Sequence, residues 1–271
     1  MEFSEEEIKI QEEACGYLKA HSDELIDQFI LQKKPFRLGF MSLFMAGSPG
    51  AGKTEFSQRY LPKVLDQVRD SLKKRFAEKG LPVDNIEALL VRIDVDEIRG
   101  FLPQYKKTDL TTGQKANAHV IQKAANKGLD ILRSYCLENE ISFLLDGTFG
   151  NLKTMKGLIQ ASLDDDRQVD IFFIYLDPIS AWAFTQAREA VEGRNILKEK
   201  FIEQYFNSQA NVEAVKKEFG DSVRLNVVLK NKDNQVAEVK LNVPSLDGYL
   251  KSKYKDGSLV EYSEADLLKA I

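Results

Sequence analysis

One octapeptide constrains this chain more than any other stretch: Gly47-Ser48-Pro49-Gly50-Ala51-Gly52-Lys53-Thr54. It has the form G-x-x-x-x-G-K-T. It stands between an apolar run, Phe40–Ala46, and a charged segment, Lys53–Lys79, whose apolar residues recur at helical spacing. Glycines let the backbone curl until successive N–H groups point at one anion. The helix that follows turns its positive end toward the same anion. The pattern therefore assigns Gly47, Ser48, Pro49, Gly50, Ala51, Gly52, Lys53 and Thr54 to the phosphates of a nucleotide. Lys53 is expected to reach the β- and γ-phosphates, and the Thr54 hydroxyl to ligate Mg²⁺. A glycine turn that binds nothing has no reason to carry Lys-Thr after its last glycine.

The segments around this loop alternate between buried-strand and helical patterns. Ala88–Ile93, Ile141–Leu145 and Val169–Leu176 read as further strands. Gln114–Asn139 and residues 152–163, 179–192 and 197–218 read as helices. Two β-like runs, 223–230 and 235–243, joined through Asn231, Lys232, Asp233 and Asn234, predict a hairpin. Such alternation means βαβ crossovers, so the expected fold class is α/β: P-loop NTPase or kinase-like, a mostly parallel sheet flanked by helices, with a C-terminal β-hairpin. Three regions are expected. Residues 1–38 form a helical lead, capped by Ser4 and Glu7 and broken near His21-Ser22, that packs on the core. Residues 39–245 form the P-loop domain, and 246–271 a helical tail.

Ligands on parallel sheets sit beyond the carboxyl ends of the strands, so the residues there are the next candidates. The second strand runs into Asp94-Val95-Asp96, followed by Arg99. On an extended chain Asp94 and Asp96 share a face. A carboxylate at this place takes the proton of an attacking hydroxyl or holds Mg²⁺ through water. Asp96 is also well suited to cap the helix that begins there. The third strand ends in Asp146-Gly147-Thr148, where a P-loop protein keeps a metal-assisting carboxylate. Beyond the fourth strand come Arg188, on a helix, and Arg194, just after Gly193. Two arginines near a loop that can fold over a nucleotide stabilise charge on a transferring phosphoryl group, or else pair with Glu189, Glu192 and Glu199 at the surface.

Composition sets the outer limits. With 38 basic and 42 acidic residues the net charge is -4, which argues against a broad nucleic-acid-binding face. No apolar run is long enough to cross a bilayer, and the acidic start MEFSEEEIKIQEE lacks the features of a signal peptide. Two cysteines, Cys15 and Cys136, make no disulfide framework and suit a reducing cytoplasm.

Taken in order, the helical lead, GSPGAGKT, the Asp94-Val95-Asp96 turn with Arg99, the LLDGT segment, the paired arginines and the hairpin resemble the zeta toxin family, kinases of toxin–antitoxin systems. The resemblance covers about residues 3 to 245. It implies transfer of a phosphoryl group from ATP or GTP, with Mg²⁺, to the 3′-hydroxyl of UDP-N-acetylglucosamine. It implies Asp96 as general base, Lys53 and Thr54 on nucleotide and metal, and Arg188 and Arg194 clamping the γ-phosphate. Asp146 would serve the metal and, with Thr148, Asp130 and Arg99, the substrate. It also implies a small helical antitoxin as partner. Two departures stand out: Asp146 replaces the glutamate of many members, and Gly150 stands where some have arginine. A P-loop kinase of another hydroxyl acceptor (a nucleoside, an antibiotic or a polynucleotide end) and a nucleotide-gated binding protein are the alternatives.

Overall fold

The structure is a computed structural model that describes residues 3–37, 39–63, 70, 73–74, 78, 88–106, 117–192 and 196–271. Six strands form one mostly parallel sheet flanked by helices. The strands are β1 (Met41–Ala46), β2 (Val91–Asp94), β3 (Phe143–Asp146), β4 (Gln168–Tyr175), β5 (Val223–Lys230) and β6 (Val236–Lys240), in the order β2-β3-β1-β4-β5-β6. The expected class, its strands and its hairpin are all present. The chain divides into two compact units: Met1–Phe40 with Ser57–Leu144, and Met41–Phe56 with Leu145–Ile271.

In the first unit, helix α1 (Glu5–Ala20) opens with the capping box of Ser4 and Glu7. It stops at His21, whose Nδ1 lies 2.9 Å from the Tyr17 carbonyl and whose ring stacks on Tyr17. Helix α2 (Ser22–Phe29) follows, so the break falls where the sequence suggests. Later in this unit come α4 (Val95–Phe101) and α5 (Gln122–Glu138). Gly128 explains how closely these helices approach: a Cβ there would lie 2.7 Å from Ile98 Cγ2 and against Leu18 and Leu25. Leu18 and Leu25 are accordingly buried, and the helical lead is part of this unit's core. The expected helix 114–139 begins at Gln122; residues 114–116 lie outside the described residues.

In the second unit β1 pairs with β4 and β4 with β5, all parallel, and β5 pairs with β6 antiparallel. Leu43, Phe44, Met45 and Ala46 are buried in succession, as a parallel strand covered on both faces requires. The buried Arg167 and Asp170 of this unit are paired. Arg167 donates to Ser42 Oγ and the Met41 carbonyl. Asp170 accepts two bonds from Arg224 and one from Asn226. The loop after β1 leads into α3, a short helix (Lys53–Glu55) continued as a π-turn (Phe56–Tyr60). The helix expected to run on to Lys79 enters residues of which most are outside those described. The remaining helices are α6 (Leu152–Asp164), α7 (Pro178–Glu192), α8 (Lys198–Phe219), α9 (Leu246–Lys255) and α10 (Glu264–Ala270). No helix among the described residues is long and apolar enough to cross a membrane.

One buried carboxylate anchors the start of the tail. Glu213, buried on α8, accepts the N–H groups of Leu246 and Asp247 at 2.8 and 3.1 Å and the Ser245 hydroxyl, so it stabilises the start of α9. Burial pushes its carboxyl up, but the N–H of Asp247, the Ser245 hydroxyl, the N–H of Leu246 and Lys217 together outweigh burial and hold it below its ordinary value. A carboxyl depressed in the fold stabilises fully above its unfolded pKa, near 4.5, and loses that contribution as pH falls through the folded value. Glu213→Gln should therefore lower stability by about 1–3 kcal/mol at pH 7. It should also flatten the acid limb of stability between about pH 5 and 3, measured by urea unfolding across that range.

Candidate active site

The P-loop is held by its own lysine. Lys53 is buried, and its Nζ donates to the carbonyls of Gly47 and Ser48 at 2.9 and 2.6 Å. The cation thus lies over the loop whose N–H groups would cradle a phosphate. Gly50 and Gly52 both have positive φ, +72° and +77°. Each also approaches other backbone or side chains too closely for a Cβ. At Gly50 a Cβ would overlap the Ala181 carbonyl in the first turn of α7 and sit 2.5 Å from Thr185 Oγ1. At Gly52 it would overlap the Lys230 ammonium and lie 2.6 Å from Asn234 Oδ1. Gly52 is the N-cap of α3, which puts Lys53 and Thr54 in the helix's first turn. These two of the loop's three glycines therefore answer to geometry, not composition.

Three further groups belong to the same unit. Asp146 is the last residue of β3 and is buried. Thr148 follows in a turn where Phe149 has φ +61°, and Asn211 on α8 donates to the Phe149 carbonyl at 3.0 Å. Beyond β4, Asp177 accepts from the N–H and hydroxyl of Ser180 and from the Tyr262 hydroxyl at 3.2 Å. It starts α7, on which Arg188 is exposed. Arg194 lies outside the described residues. At the end of β5, Lys230 and the turn residue Asn234 both donate to Glu55 Oε2, at 3.1 and 2.8 Å. Sequence reasoning missed Glu55, Lys230, Asn234 and Asn211. For Lys230 the signal was present: a charged residue ending an apolar strand, the same feature that singled out Asp94 and Asp146.

The acidic turn belongs to the first unit, and its geometry differs from the extended-chain expectation. Strand β2 ends at Asp94, which caps α4 by accepting the Asp96 N–H at 2.8 Å. Asp94, not Asp96, is the N-cap. The capping bond turns the chain at once, so Asp96 lies within the first turn of α4 and the shared face of an extended strand does not apply. Asp94 is further tied to Arg92, which also bonds Glu97 and Ser57. Asp96 pairs with Arg99, whose other terminal nitrogen bonds Gln122 Oε1. Arg99 Nε is buried without a hydrogen-bond partner. Asp130 is exposed on α5. Gln122, Asn126 and Asp130 recur every four residues, so they share one stripe of that helix, with Asp130 about 12 Å along from Gln122.

No cluster of three His, Cys, Asp or Glu side chains able to hold a metal occurs among the described residues. The oxygen donors Thr54 and Asp146 instead fit Mg²⁺, which takes few protein ligands and completes its shell with water and phosphate.

A P-loop on the first strand of a mostly parallel sheet, with a carboxylate ending the neighbouring strand β3, defines a P-loop kinase-like fold. The zeta toxin family model matches residues 30–241, and the chain belongs to that family. A search of curated proteins finds no match. Among solved structures, the PezAT chromosomal toxin–antitoxin system of Streptococcus pneumoniae is similar at 18% identity and TM-score 0.58, covering 99% of this chain and 94% of that one. The AvrRxo1-ORF1:-ORF2 complex with ATP is similar at 13% identity and TM-score 0.53, covering 95% and 73%. The native form of that complex is similar at 14% identity and TM-score 0.57, covering 86% and 71%.

Gly50→Ala should lower Mg·ATP affinity roughly tenfold or more, because the loop must shift away from Ala181. It should lower Tm by roughly 3–8 °C, from a strained positive φ. Gly157→Ala, on α6 with open space around the added Cβ, should stabilise the fold by about 0.5–1 kcal/mol and leave affinity unchanged. Isothermal titration and thermal melts of the two variants check both.

Proposed function

We propose that the chain is an ATP-dependent kinase that phosphorylates the 3′-hydroxyl of UDP-N-acetylglucosamine, with Asp96 as general base. The observation that carries the reading is the division of labour in the acidic turn. Asp94 caps α4 and pairs with Arg92, while Asp96 stands in the first turn of α4 paired with Arg99, which Gln122 holds in turn. A base must be rigidly aimed at the hydroxyl proton it removes. Family membership supports the reaction class, and the ATP-bound relative supports ATP as donor.

The P-loop N–H groups and Lys53 would bind the donor's β- and γ-phosphates. Lys53 would exchange its bonds to Gly47 and Ser48 for phosphate oxygens. Thr54 and Asp146 would hold Mg²⁺, which neutralises phosphate charge when bound. Asp96 takes the proton from the acceptor hydroxyl as its oxygen attacks the γ-phosphorus. Arg188 and Arg194 stabilise the charge on the transferring group. Thr148, oriented through the Asn211–Phe149 bond, serves the acceptor with Asp146, Asp130 and Arg99. The toxin–antitoxin relative supports a small antitoxin as protein partner, and Cys15 and Cys136, neither of them in a disulfide, fit a cytoplasmic setting. A different hydroxyl acceptor is the second reading, favoured by Gly150, which offers no side chain where some family members have arginine.

ADP release with Mg·ATP, with and without UDP-N-acetylglucosamine, tests the assignment. Acceptor-dependent turnover should fall by about 10²–10⁴ in Asp96→Asn, with ATP affinity kept. Persisting turnover in that variant removes Asp96 as base. ATP binding without acceptor-dependent turnover removes the sugar nucleotide and favours another hydroxyl.

A further inference from the structure

We infer that Lys230 is a positioning residue for the donor site, clasping the β5–β6 hairpin onto the first turn of the P-loop helix. The inference rests on the reading of the P-loop as the site of the donor phosphates.

Lys230 ends β5 after seven residues that are mostly buried, and its own side chain is 2% exposed. A buried ammonium is costly unless it is paired and hydrogen-bonded. A methionine or leucine would fill the same space more cheaply. The bonds that Lys230 makes explain its presence. Its Nζ lies 3.1 Å from Glu55 Oε2 and 3.5 Å from the Gly52 carbonyl. Asn234 donates to the same Glu55 oxygen at 2.8 Å. Gly52 and Glu55 bracket Lys53 and Thr54, the two side chains assigned to nucleotide and metal. Every partner is therefore part of the phosphate-binding turn.

Two further features aim the clasp. The β5–β6 register shifts between Leu229 and Lys230, leaving an extra residue on β6. Such bulges redirect side chains, often beside active sites. The turn that follows is closed by the N–H of Asn231 to the Gln235 carbonyl and the N–H of Asn234 to the Asn231 carbonyl, both at 2.9 Å. Asn231 Oδ1 also takes the N–H groups of Asp233 and Gln235. Asn234, at φ +61°, is thereby presented to Glu55.

The electrostatic consequence follows from the position of Glu55. A carboxylate in the first turn of the P-loop helix shares that end of the helix with a bound triphosphate and repels it. The Lys230 ammonium cancels that charge from the far side of the loop and fixes the Gly52 carbonyl at the same time. Lys53 faces the phosphates; Lys230 acts through Glu55 and Gly52 and touches no substrate.

The test measures Mg·ATP binding by titration in the absence of any acceptor, beside thermal melts, for Lys230→Met, Glu55→Gln and the double variant. Lys230→Met should weaken binding about tenfold, because it removes the ammonium that faces the Glu55 carboxylate and the Gly52 carbonyl. Glu55→Gln should change it by less than about threefold, and the double variant should recover most of the loss. A Lys230 that only supports the fold would lower Tm and give a double variant no better than Lys230→Met. That result overturns the inference, as does Lys230→Met binding within twofold of wild type. Should Lys230→Met not fold, Asn234→Ser removes one donor to Glu55 from an exposed turn, and unchanged affinity there overturns the clasp equally. Wild type that binds no nucleotide refutes the donor reading itself. Wild type that binds, with variants indifferent, refutes the clasp alone.

Discussion

A phosphate site made from backbone N–H groups works only if the backbone cannot relax away from the curled geometry. Here the turn is confined by what surrounds it. Gly50 closes on the first turn of α7, and Gly52 on Lys230 and Asn234. Both glycines hold positive φ with no room for a side chain. Anion binding of this kind depends on dipoles that are already aligned before the ligand arrives. Pairing β1 with β4 and β4 with β5 puts the anchors of that turn in one unit, because α7 follows β4 and the hairpin follows β5.

The same logic runs through the carboxylates. A strand that ends in an acid can spend that acid on the next helix or offer it to chemistry. At the end of β2 the chain does the first with Asp94, while Asp96 pairs with Arg99, which in turn bonds Gln122. From within α8, Asn211 holds the strained Phe149 turn that follows Asp146 and Thr148. The tail uses a third arrangement, in which Glu213 satisfies the first N–H groups of α9. In each case a charged or amide group closes a backbone end that would otherwise be left unpaired.

Much of this was legible in the residues. The octapeptide, the apolar runs and the hairpin turn are local signals, set by backbone sterics and by which faces must be buried. The family resemblance rests on their order. Local reasoning failed where a side chain's partner is distant in sequence. The capping role passed from Asp96 to Asp94 because the helix begins at Val95, two residues earlier than an Asp96 cap would place it. Lys230 looked like the polar end of a strand, because Glu55 lies 175 positions away in sequence. Asn211 gave no signal at all: an amide on a helix surface is ordinary until the loop it holds is known.

The sequence by itself determined the class of fold, the curled glycine loop after β1, and the strand ends at which acids collect. These follow from periodicity, glycine and the fixed direction of parallel strands. Only the tertiary structure decided which acid caps and which projects, why Gly50 and Gly52 admit no side chain, and how Lys230 and Asn234 tie the hairpin to the P-loop helix. The glycine and lysine outcomes depend on contacts between segments far apart in the chain, and the cap depends on where the helix begins. Hydrogen-bond distance and steric overlap are properties of the packed arrangement, and residue order does not carry them.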